Sequence, residues 1–297
     1  MKELKIIQSF FAKNSFPMDD CYFRNGLLYT TDSLSEKTHF LHKWSSPGDL
    51  AIKLLHVNAS DILSSGGKPL FCFLNLGLSS LSSKSDWLEK FSLTLKKELK
   101  SYSIELCGGD TYSSHYTNLT MTMVGECKNP VSRENAQFDD NVYLTGKIGF
   151  SKLGFNLLKN KSKSPSEAIR KESIKKHLQP RADFKIFPNL KDNYKITSAM
   201  DITDGLFQDA EKLSRASNLG MILELNNLPE LDLLQRYLSL EEIVTSGEEL
   251  VILFTSPEEI VVKGVNKIGK MNKSKKVILS LNGKRITLND TGFLHFK

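Results

Sequence analysis

Aspartates recur along this chain, and most of them lie next to glycine, serine or threonine. They are Asp19, Asp20, Asp32, Asp61, Asp110, Asp201 and Asp204. If they converge in the fold, mutual repulsion raises their pKa values and destabilises the protein unless cations are bound. Mg²⁺ prefers oxygen ligands and usually lies between carboxylates and substrate phosphates. The pattern therefore predicts a divalent-metal site that acts on phosphates.

The usual phosphate-binding motifs are missing from the sequence. It contains no GxxxxGK(S/T), no GxGxxG and no protein-kinase catalytic loop. Taken singly, the candidate residues also have structural interpretations. An aspartate after a strand is commonly a turn or capping residue, Gly108-Gly109 a tight turn, His39 a structural histidine and Tyr102 a packing residue. Spacing alone therefore supports no more than a divalent-metal phosphate enzyme.

Short apolar runs lead into three of the aspartates. Residues 27–31 predict a strand before Asp32, residues 104–107 run through two glycines into Asp110, and residues 196–200 precede Asp201. Carboxylates just beyond strand ends are typical of ligand sites in α/β folds. We therefore expect these three side chains to follow the ends of their strands.

A helix is predicted over residues 47–64. Ser46 can cap it, Pro47 fits its first position, and Asp49 lies where the acid of a capping box would. Its apolar face turns polar near Asp61, which suggests that the helix enters the site at its C-terminal end. Further predicted elements are a strand at 69–78 buried on both faces, a helix from Ser85, strands at 117–126, 141–145, 221–225 and 249–255, helices at 204–216 and from Ser256, and a hairpin turn at Asn282-Gly283.

Length and composition favour two α/β domains. A chain of 297 residues with 40% hydrophobic content exceeds what one core usually holds. We place the boundary near residue 136, giving domains 1–136 and 137–297. The net charge of +6 is regional, because residues 151–195 hold twelve Lys and Arg against four acids. A solvated helical surface with a flexible loop at 159–165 explains this excess, so a nucleic-acid role is not favoured.

Targeting and cysteine signals are few. No apolar run approaches the roughly 18 residues that a membrane span needs, and the start lacks a secretory pattern. We therefore expect a cytoplasmic protein with no membrane association. The cysteines Cys21, Cys72, Cys107 and Cys127 form no CxxC pair, and we expect buried free thiols.

Five ordered segments carry a family resemblance. They are TTDSLSEKTHF (30–40), PGDLAIKLLHVNASDILSSGGKP (47–69), CGGDTYSS (107–114), DITDGLFQDAEKLSRASNLG (201–220) and SGEELVILFTSP (246–257). In their order and sequence they resemble the thiamine-monophosphate kinase family, a branch of the aminoimidazole ribonucleotide synthetase-like superfamily. The resemblance spans residues 20–257 and is much more specific than any single motif.

The resemblance implies roles for individual residues. Metal ligation is implied for Asp20, Thr30, Thr31, Asp32, Asp61, Asp110, Asp201 and Asp204, with Asp32, Asp110 and Asp204 central to catalysis. ATP contacts are implied for Thr30, Thr31, Tyr102, Gly109, Asp110, Arg133 and Thr203, and substrate contacts for His39 and Glu248. The implied fold is a two-domain α/β (α+β) fold of the aminoimidazole ribonucleotide synthetase type, whose N-terminal mixed sheet forms a homodimer and whose C-terminal domain covers the cleft.

The implied reaction is transfer of the γ-phosphoryl group of ATP to thiamine monophosphate, with several Mg²⁺ ions. The acceptor phosphate is already ionised at neutral pH, so direct in-line transfer requires no general base. The family pattern is broken at Phe16-Pro17-Met18 and at Lys37-Thr38. It is also broken at Asp290, where the resemblance suggests an aromatic residue. Phe293 lies three residues on, and two interpretations stay open: it supplies the apolar contact to thiamine, or it anchors the C-terminus to the core.

Other functions fit parts of the pattern. Selenophosphate synthetase and the hydrogenase-maturation enzyme of the superfamily need cysteines that this chain does not place correctly. A purine-pathway synthetase-like enzyme, or a non-catalytic nucleotide-binding homologue, remains an alternative.

Overall fold

The computed structural model describes residues 6, 9, 10 and 19–288, which build two sheets with separate cores. The first sheet is mixed, in the order β1-β2-β5-β3-β4, and β3–β4 is its one parallel pair. Its strands are β1 (Tyr22–Arg24), β2 (Leu27–Ser35), β3 (Lys68–Leu78), β4 (Glu105–Ser113) and β5 (Asn118–Glu126), and its helices are α1 (Pro47–Ser64) and α2 (Ser85–Ser101).

Helix α1 forms as the sequence predicts. Ser46 and Asp49 make the capping box, with Asp49 N donating to Ser46 Oγ at 3.1 Å and Ser46 N donating to Asp49 Oδ2 at 2.8 Å. From Leu50 onward every residue of α1 is buried. One side packs on the first sheet, while Val57 and Leu63 join the core of the second. The helix is therefore the shared element that fixes the two units against each other.

The two faces of the first sheet differ. Leu28, Met121 and Met123 point toward the helices and are almost fully buried. The opposite face carries exposed apolar side chains, among them Phe73 at 39% and Tyr112 at 50%. The prediction that β3 is buried on both faces is therefore wrong within one chain, because no helix covers the outer face in the described residues.

The second sheet has the order β12-β11-β8-β10-β6-β9-β7 and is covered on both faces. Alternation on β6 shows this, since Val142 and Leu144 lie in one core and Tyr143 in another. Its strands are β6 (Asn141–Thr145), β7 (Ser198–Asp201), β8 (Gly220–Glu224), β9 (Ile252–Ser256), β10 (Val265–Asn272), β11 (Val277–Leu281) and β12 (Lys284–Ile286). Its helices are α3 (Phe150–Leu158), α4 (Glu167–Leu178), α5 (Ile186–Asn193), α6 (Leu206–Ala216), α7 (Leu231–Leu234) and α8 (Leu240–Val244).

Most element predictions are confirmed, and the two α/β units are as expected. The basic stretch at 159–165 is a loop, and Asn282-Gly283 turns between β11 and β12 with φ of 51° and 73°. The last strand of the first sheet ends at Glu126 and the first strand of the second sheet begins at Asn141. The domain boundary near residue 136 stays a prediction.

Four local predictions are wrong. Asp32 and Asp110 lie inside β2 and β4, because pairing with β5 and β3 extends both strands past the carboxylates. Cys107 is exposed on β4, unlike the other three cysteines. No helix follows Ser256, since Tyr143 Oη donates to Glu258 O at 2.9 Å and accepts from Ile260 N at 3.0 Å. These bonds satisfy the loop backbone without helical pairing.

Among residues 6, 9, 10 and 19–288, no helix is long and apolar enough to cross a membrane.

Candidate active site

A cavity of about 810 Å³ lies between the two units. Its walls come from β2, the loop before α1, α1 itself, α3, α4, and the segments that follow β7 and α8. Aspartates line one end and aromatic and basic side chains the other, with a buried ion pair between them. Most of the residues singled out from the sequence line this cavity: Asp20, Thr30, Thr31, Asp32, His39, Asp61, Arg133, Asp201, Thr203, Asp204 and Glu248.

Three carboxylates converge at the acidic end. Asp20, Asp61 and Asp201 each offer one oxygen, and these oxygens lie within 4.8 Å of one another. Asp61 comes from the C-terminal end of α1 and Asp201 is the last residue of β7, so the cluster joins both units. This geometry matches the donor type and spacing that a hard divalent cation requires.

Burial and mutual repulsion act together on this cluster. Burial raises the pKa of Asp61 well above its ordinary value, and the charges of Asp32, Asp201 and Asp20 raise it further. Thr30 Oγ1 opposes this by donating to Asp61 Oδ2 at 2.5 Å. Burial likewise raises the pKa of Asp201, with Asp20 as the next cause. The folded chain thus stores unfavourable electrostatic energy that a bound cation would relieve.

Asp20 is held by two partners. The Arg133 guanidinium forms a salt bridge with it, and Ser64 Oγ donates to Asp20 Oδ2 at 2.9 Å. Burial alone would lower the pKa of Arg133, but the charge of Asp20 raises it above its ordinary value. The guanidinium therefore anchors a carboxylate of the cluster here, and the nucleotide contact expected for Arg133 stays a prediction.

The loop after β7 is shaped by a buried carboxylate. Asp209 Oδ2 accepts hydrogen bonds from the backbone N–H of Thr203, Asp204 and Gly205, at 2.9, 3.0 and 3.2 Å. Lys212 Nζ then binds both Asp204 Oδ2 at 2.5 Å and Asp209 Oδ1 at 2.7 Å. Asp204 thus lines the cavity with its carboxylate held by Lys212.

The remaining residues of β2 complete the acidic wall. Asp32 N donates to Asn58 Oδ1 at 2.9 Å, which ties the strand to α1. Thr31 Oγ1 donates to Met121 O at 3.2 Å and accepts from Thr122 Oγ1 at 3.1 Å. The threonines are therefore fixed before any ligand binds.

A buried ion pair occupies the middle of the cavity. Lys53 Nζ lies 2.6 Å from Glu248 Oε2, and the Lys53 side chain is only 4% exposed. Burial would raise the pKa of Glu248, but Lys53, with smaller contributions from His177 and His39, outweighs it and the pKa is lowered. Glu248 has φ of 56°, a costly conformation for a residue other than glycine. His39 is nearby, with its Nδ1 accepting from Ser35 N at 2.9 Å and its carbonyl from Lys53 Nζ at 3.3 Å.

The opposite end of the cavity is aromatic and basic. Trp44 and Phe155 meet edge to face, with ring centroids 6.1 Å apart. His177 lies against Phe155 at 5.2 Å, and burial together with the charge of Lys53 lowers its pKa to about 4. Lys152 and Lys159 also line this end.

Three predicted site residues lie away from this cavity. Tyr102 stacks on Phe184 at 3.9 Å and packs inside the protein. Gly109 and Asp110 lie on β4, which is exposed along its whole length at the edge of the sheet. A Cβ on Gly109 would overlap the carbonyl oxygen of Leu74, so the glycine also has a packing reason. The segment 16–18, Asp290 and Phe293 lie outside the described residues.

Several residues that line the cavity or hold its walls were missed from the sequence. Asp209 and Lys212 could have been found by their i, i+3 spacing within the segment 201–220. The sequence contains no such signal for Lys53, Trp44 and Phe155. These residues line the cavity only because α1, the loop before it and α3 pack around it.

Comparisons with known proteins match both units of the chain. The model of the AIR synthase related protein N-terminal domain matches residues 18–127, and that of the C-terminal domain matches residues 138–281. A curated thiamine-monophosphate kinase of Leptospira interrogans is 41% identical, covering 100% of this chain and 98% of its own length. A solved AaThiL structure, complexed with AMPPCP and TMP, has a TM-score of 0.86 at 28% identity and covers 100% of this chain and 98% of its own.

A second solved structure, thiamine monophosphate kinase from Aquifex aeolicus, has a TM-score of 0.83 at 27% identity and covers 95% of this chain and 96% of its own. The fold and site thus define a two-domain AIR synthase related protein, and the α/β fold class predicted from the sequence is confirmed. Within that class the chain belongs to the thiamine-monophosphate kinase family, and it is a kinase.

Proposed function

We propose that this kinase transfers the γ-phosphoryl group of ATP to thiamine monophosphate, giving thiamine diphosphate and ADP, with Mg²⁺ at the acidic end of the cavity. The convergence of Asp20, Asp61 and Asp201 within 4.8 Å carries the proposal. The relative of 41% identity and the AaThiL complex with AMPPCP and TMP support the choice of substrates. A cytoplasmic location, where ATP and Mg²⁺ are available, belongs to the same proposal.

The residues of the acidic end fit the proposed metal. Asp20, Asp61 and Asp201 would hold it, with Thr30, Asp32 and Asp204 in the same wall. When bound, Mg²⁺ would neutralise charge on the phosphates of donor and acceptor. Arg133 fixes Asp20 and Thr30 fixes Asp61, so the ligands need little rearrangement to bind the ion. This preorganisation favours a site where charge builds up during transfer.

The transfer itself is proposed to be direct and in line. The acceptor phosphate is ionised at neutral pH, so none of the cavity residues has to remove a proton. The chain's contribution is positioning. Asp209 holds the Thr203–Gly205 backbone in place, and the Lys53–Glu248 pair lies between the acidic end and the aromatic end. A substrate with its phosphate at the aspartates would extend across this pair.

One assay tests the proposal directly. Purified protein is incubated with ATP, thiamine monophosphate and Mg²⁺, and thiamine diphosphate and ADP are measured by chromatography. We expect equal amounts of the two products, and loss of turnover in excess chelator because unscreened carboxylates repel a triphosphate. Thiamine diphosphate formed at the same rate in chelator would contradict the metal, and ADP formed only with another acceptor would contradict the substrate.

We also propose a homodimer built on the outer face of the first sheet. Exposed apolar side chains lie on this face: Tyr22, Tyr29, Phe73 and Tyr112. Contiguous apolar surface of this kind usually marks an interaction site. Phe73→Glu with Tyr112→Glu is expected to halve the mass measured by light scattering at micromolar concentration. A monomeric parent protein would contradict the dimer.

A dimer would also give Asp110 a route to an active site. It lies on edge strand β4, outside the cavity of its own chain, so its expected metal role requires the cavity of a second copy. Differently tagged Asp110→Asn and Asp201→Asn chains can be co-expressed and purified as mixed dimers. If Asp110 acts across the interface, one intact site forms and about half the activity returns. Inactive mixed dimers would show that Asp110 does not act in this way.

A further inference from the structure

The aromatic end of the cavity is built by two rings from different units. Trp44 belongs to the loop before α1 and Phe155 to α3, so neither unit forms this wall alone. Their centroids are 6.1 Å apart with planes at 89°, and both rings are half-buried and line the cavity. Because both rings are only half-buried, part of their surface stays open to a ligand in the cavity.

Positive charges already lie over these rings. Lys159 Nζ is 4.0 Å from the centroid of Phe155, and Lys43 Nζ is 4.6 Å from the centroid of Trp44. Burial lowers the pKa of Lys159, as do the neighbouring charges of Lys161, Lys152 and Lys43. The ring faces thus attract cations, while the lysines that occupy them repel one another and have flexible side chains.

We propose that Trp44 and Phe155 bind the planar heterocyclic end of the acceptor substrate. This inference rests on the proposed function and names the residues that select the substrate. The acceptor carries a cationic thiazolium ring and an aminopyrimidine ring. A fixed aromatic cation can replace a lysine ammonium at a ring face, and the released ammonium regains its water.

The layout of the cavity supports this assignment. The aspartates, which suit the phosphate and its metal, lie at one end, and the aromatic pair lies at the other. His177 contacts Phe155, and the charges of Lys53 and Glu248 shift the pKa of His177. The aromatic pair therefore adjoins the central ion pair. A substrate with a phosphate at one end and planar rings at the other thus meets metal-binding carboxylates at the first end and aromatic faces at the second.

Steady-state kinetics separate recognition from chemistry. Trp44→Leu and Phe155→Leu keep apolar volume but remove the aromatic face. Each is expected to raise the KM for thiamine monophosphate about 10-fold, with KM for ATP and kcat changed less than about 2-fold. Phe138→Leu is the matched control, because Phe138 is 55% exposed outside the cavity and also carries a lysine, Lys273, at 4.5 Å. Unchanged KM in both cavity variants, with normal turnover, would overturn the inference and leave the proposed function intact.

Fluorescence gives a readout that needs no turnover. The chain has two tryptophans, and Trp87 is buried in the first core, so Trp87→Phe leaves Trp44 as the reporter. Thiamine monophosphate is expected to quench this emission, whereas inorganic phosphate is not. If Trp87→Phe does not fold, the difference between the parent protein and Trp44→Phe gives the same signal.

The two readouts distinguish the two failures. A protein that binds thiamine monophosphate with quenching but does not phosphorylate it would refute the proposed function and support the aromatic site. Turnover without any change in Trp44 emission, together with unchanged KM in the leucine variants, would refute the aromatic site alone. If neither turnover nor quenching occurs, both are refuted.

Discussion

The two ends of the cavity are built in different ways. At the acidic end two of the three converging carboxylates are fixed by partners, Asp20 by Arg133 and Asp61 by Thr30. At the aromatic end the rings are covered by long lysine side chains such as Lys159. Under the proposed function the rigid end serves the phosphoryl transfer, and the adaptable end serves substrate selection. Changes at the two ends should therefore separate into effects on kcat and effects on KM.

The largest effect is expected from Asp201→Asn, which tests whether the acidic end serves the phosphoryl transfer. Asparagine keeps the shape but removes one of three converging charges, so metal binding should fail. We expect turnover to fall about 100-fold or more, equivalent to about 3 kcal/mol of transition-state stabilisation. Because burial and Asp20 raise the pKa of Asp201, its removal should leave the melting temperature in chelator unchanged or higher. Steady-state turnover and thermal unfolding measure both quantities.

Asp209→Asn is the matched control for that prediction. It is also fully buried, but it accepts three backbone hydrogen bonds and pairs with Lys212. Its loss should lower the melting temperature in chelator, because these donors lose a charged acceptor. Near-normal turnover in Asp201→Asn, or equal destabilisation of the two variants, would contradict the metal assignment.

The sequence predicts those parts of the fold that are determined by neighbouring residues, and it misses those that depend on distant ones. The capping box at Ser46 and Asp49 and the turn at Asn282-Gly283 are local, so periodicity and turn chemistry were enough. The strand limits at Asp32 and Asp110 depend on which partner strands extend past them, and this information is not local. For the same reason the loop after Ser256 could not be predicted, since its polar groups are satisfied by the distant Tyr143.

The same division applies to the site. The aspartates that line the cavity could be predicted because acids beside small residues on separate segments are typical of metal sites. The five ordered motifs made this prediction specific. Lys53 and Phe155 could not, because a lysine within a helix and a phenylalanine on an amphipathic helix most often lie at the surface and in the core. Only the packing of α1 against the second unit turns them toward one cavity.

A smaller effect is expected at the centre of the cavity, from Lys53→Met. The variant leaves Glu248 without its cation, and Glu248 remains 27% exposed, so the loss is less than for a fully buried pair. We expect a destabilisation of roughly 2 kcal/mol and a higher pKa for Glu248. Chemical denaturation measures the first quantity. The variant should affect stability and the KM for thiamine monophosphate more than kcat, which would place the ion pair with the aromatic end rather than the acidic end.

The control for Lys53→Met is a double-mutant cycle with Glu248→Gln. Removing both partners leaves neither charge unpaired, so the double variant should be more stable than the sum of the two single changes predicts. Additive losses would mean that the pair contributes no coupling and that Lys53 acts through packing alone.

The smallest expected effect concerns His177, which joins the ion pair to the aromatic end. Burial and the charge of Lys53 lower its pKa from the ordinary 6.5 to about 4, while Glu248 opposes this change. The unfolded chain therefore binds a proton at a higher pH than the folded chain does. Stability should fall as the pH drops from about 6.5 to about 4, by on the order of 1 kcal/mol because the cavity admits water. His177→Gln should flatten this acid limb in denaturation curves recorded at several pH values. His115→Gln, at an exposed site outside the cavity, should leave the limb unchanged. An unchanged limb in His177→Gln would mean that the pKa of His177 is the same in the folded and unfolded chain, and the aromatic end would then gain a positive charge as the pH falls below the ordinary 6.5.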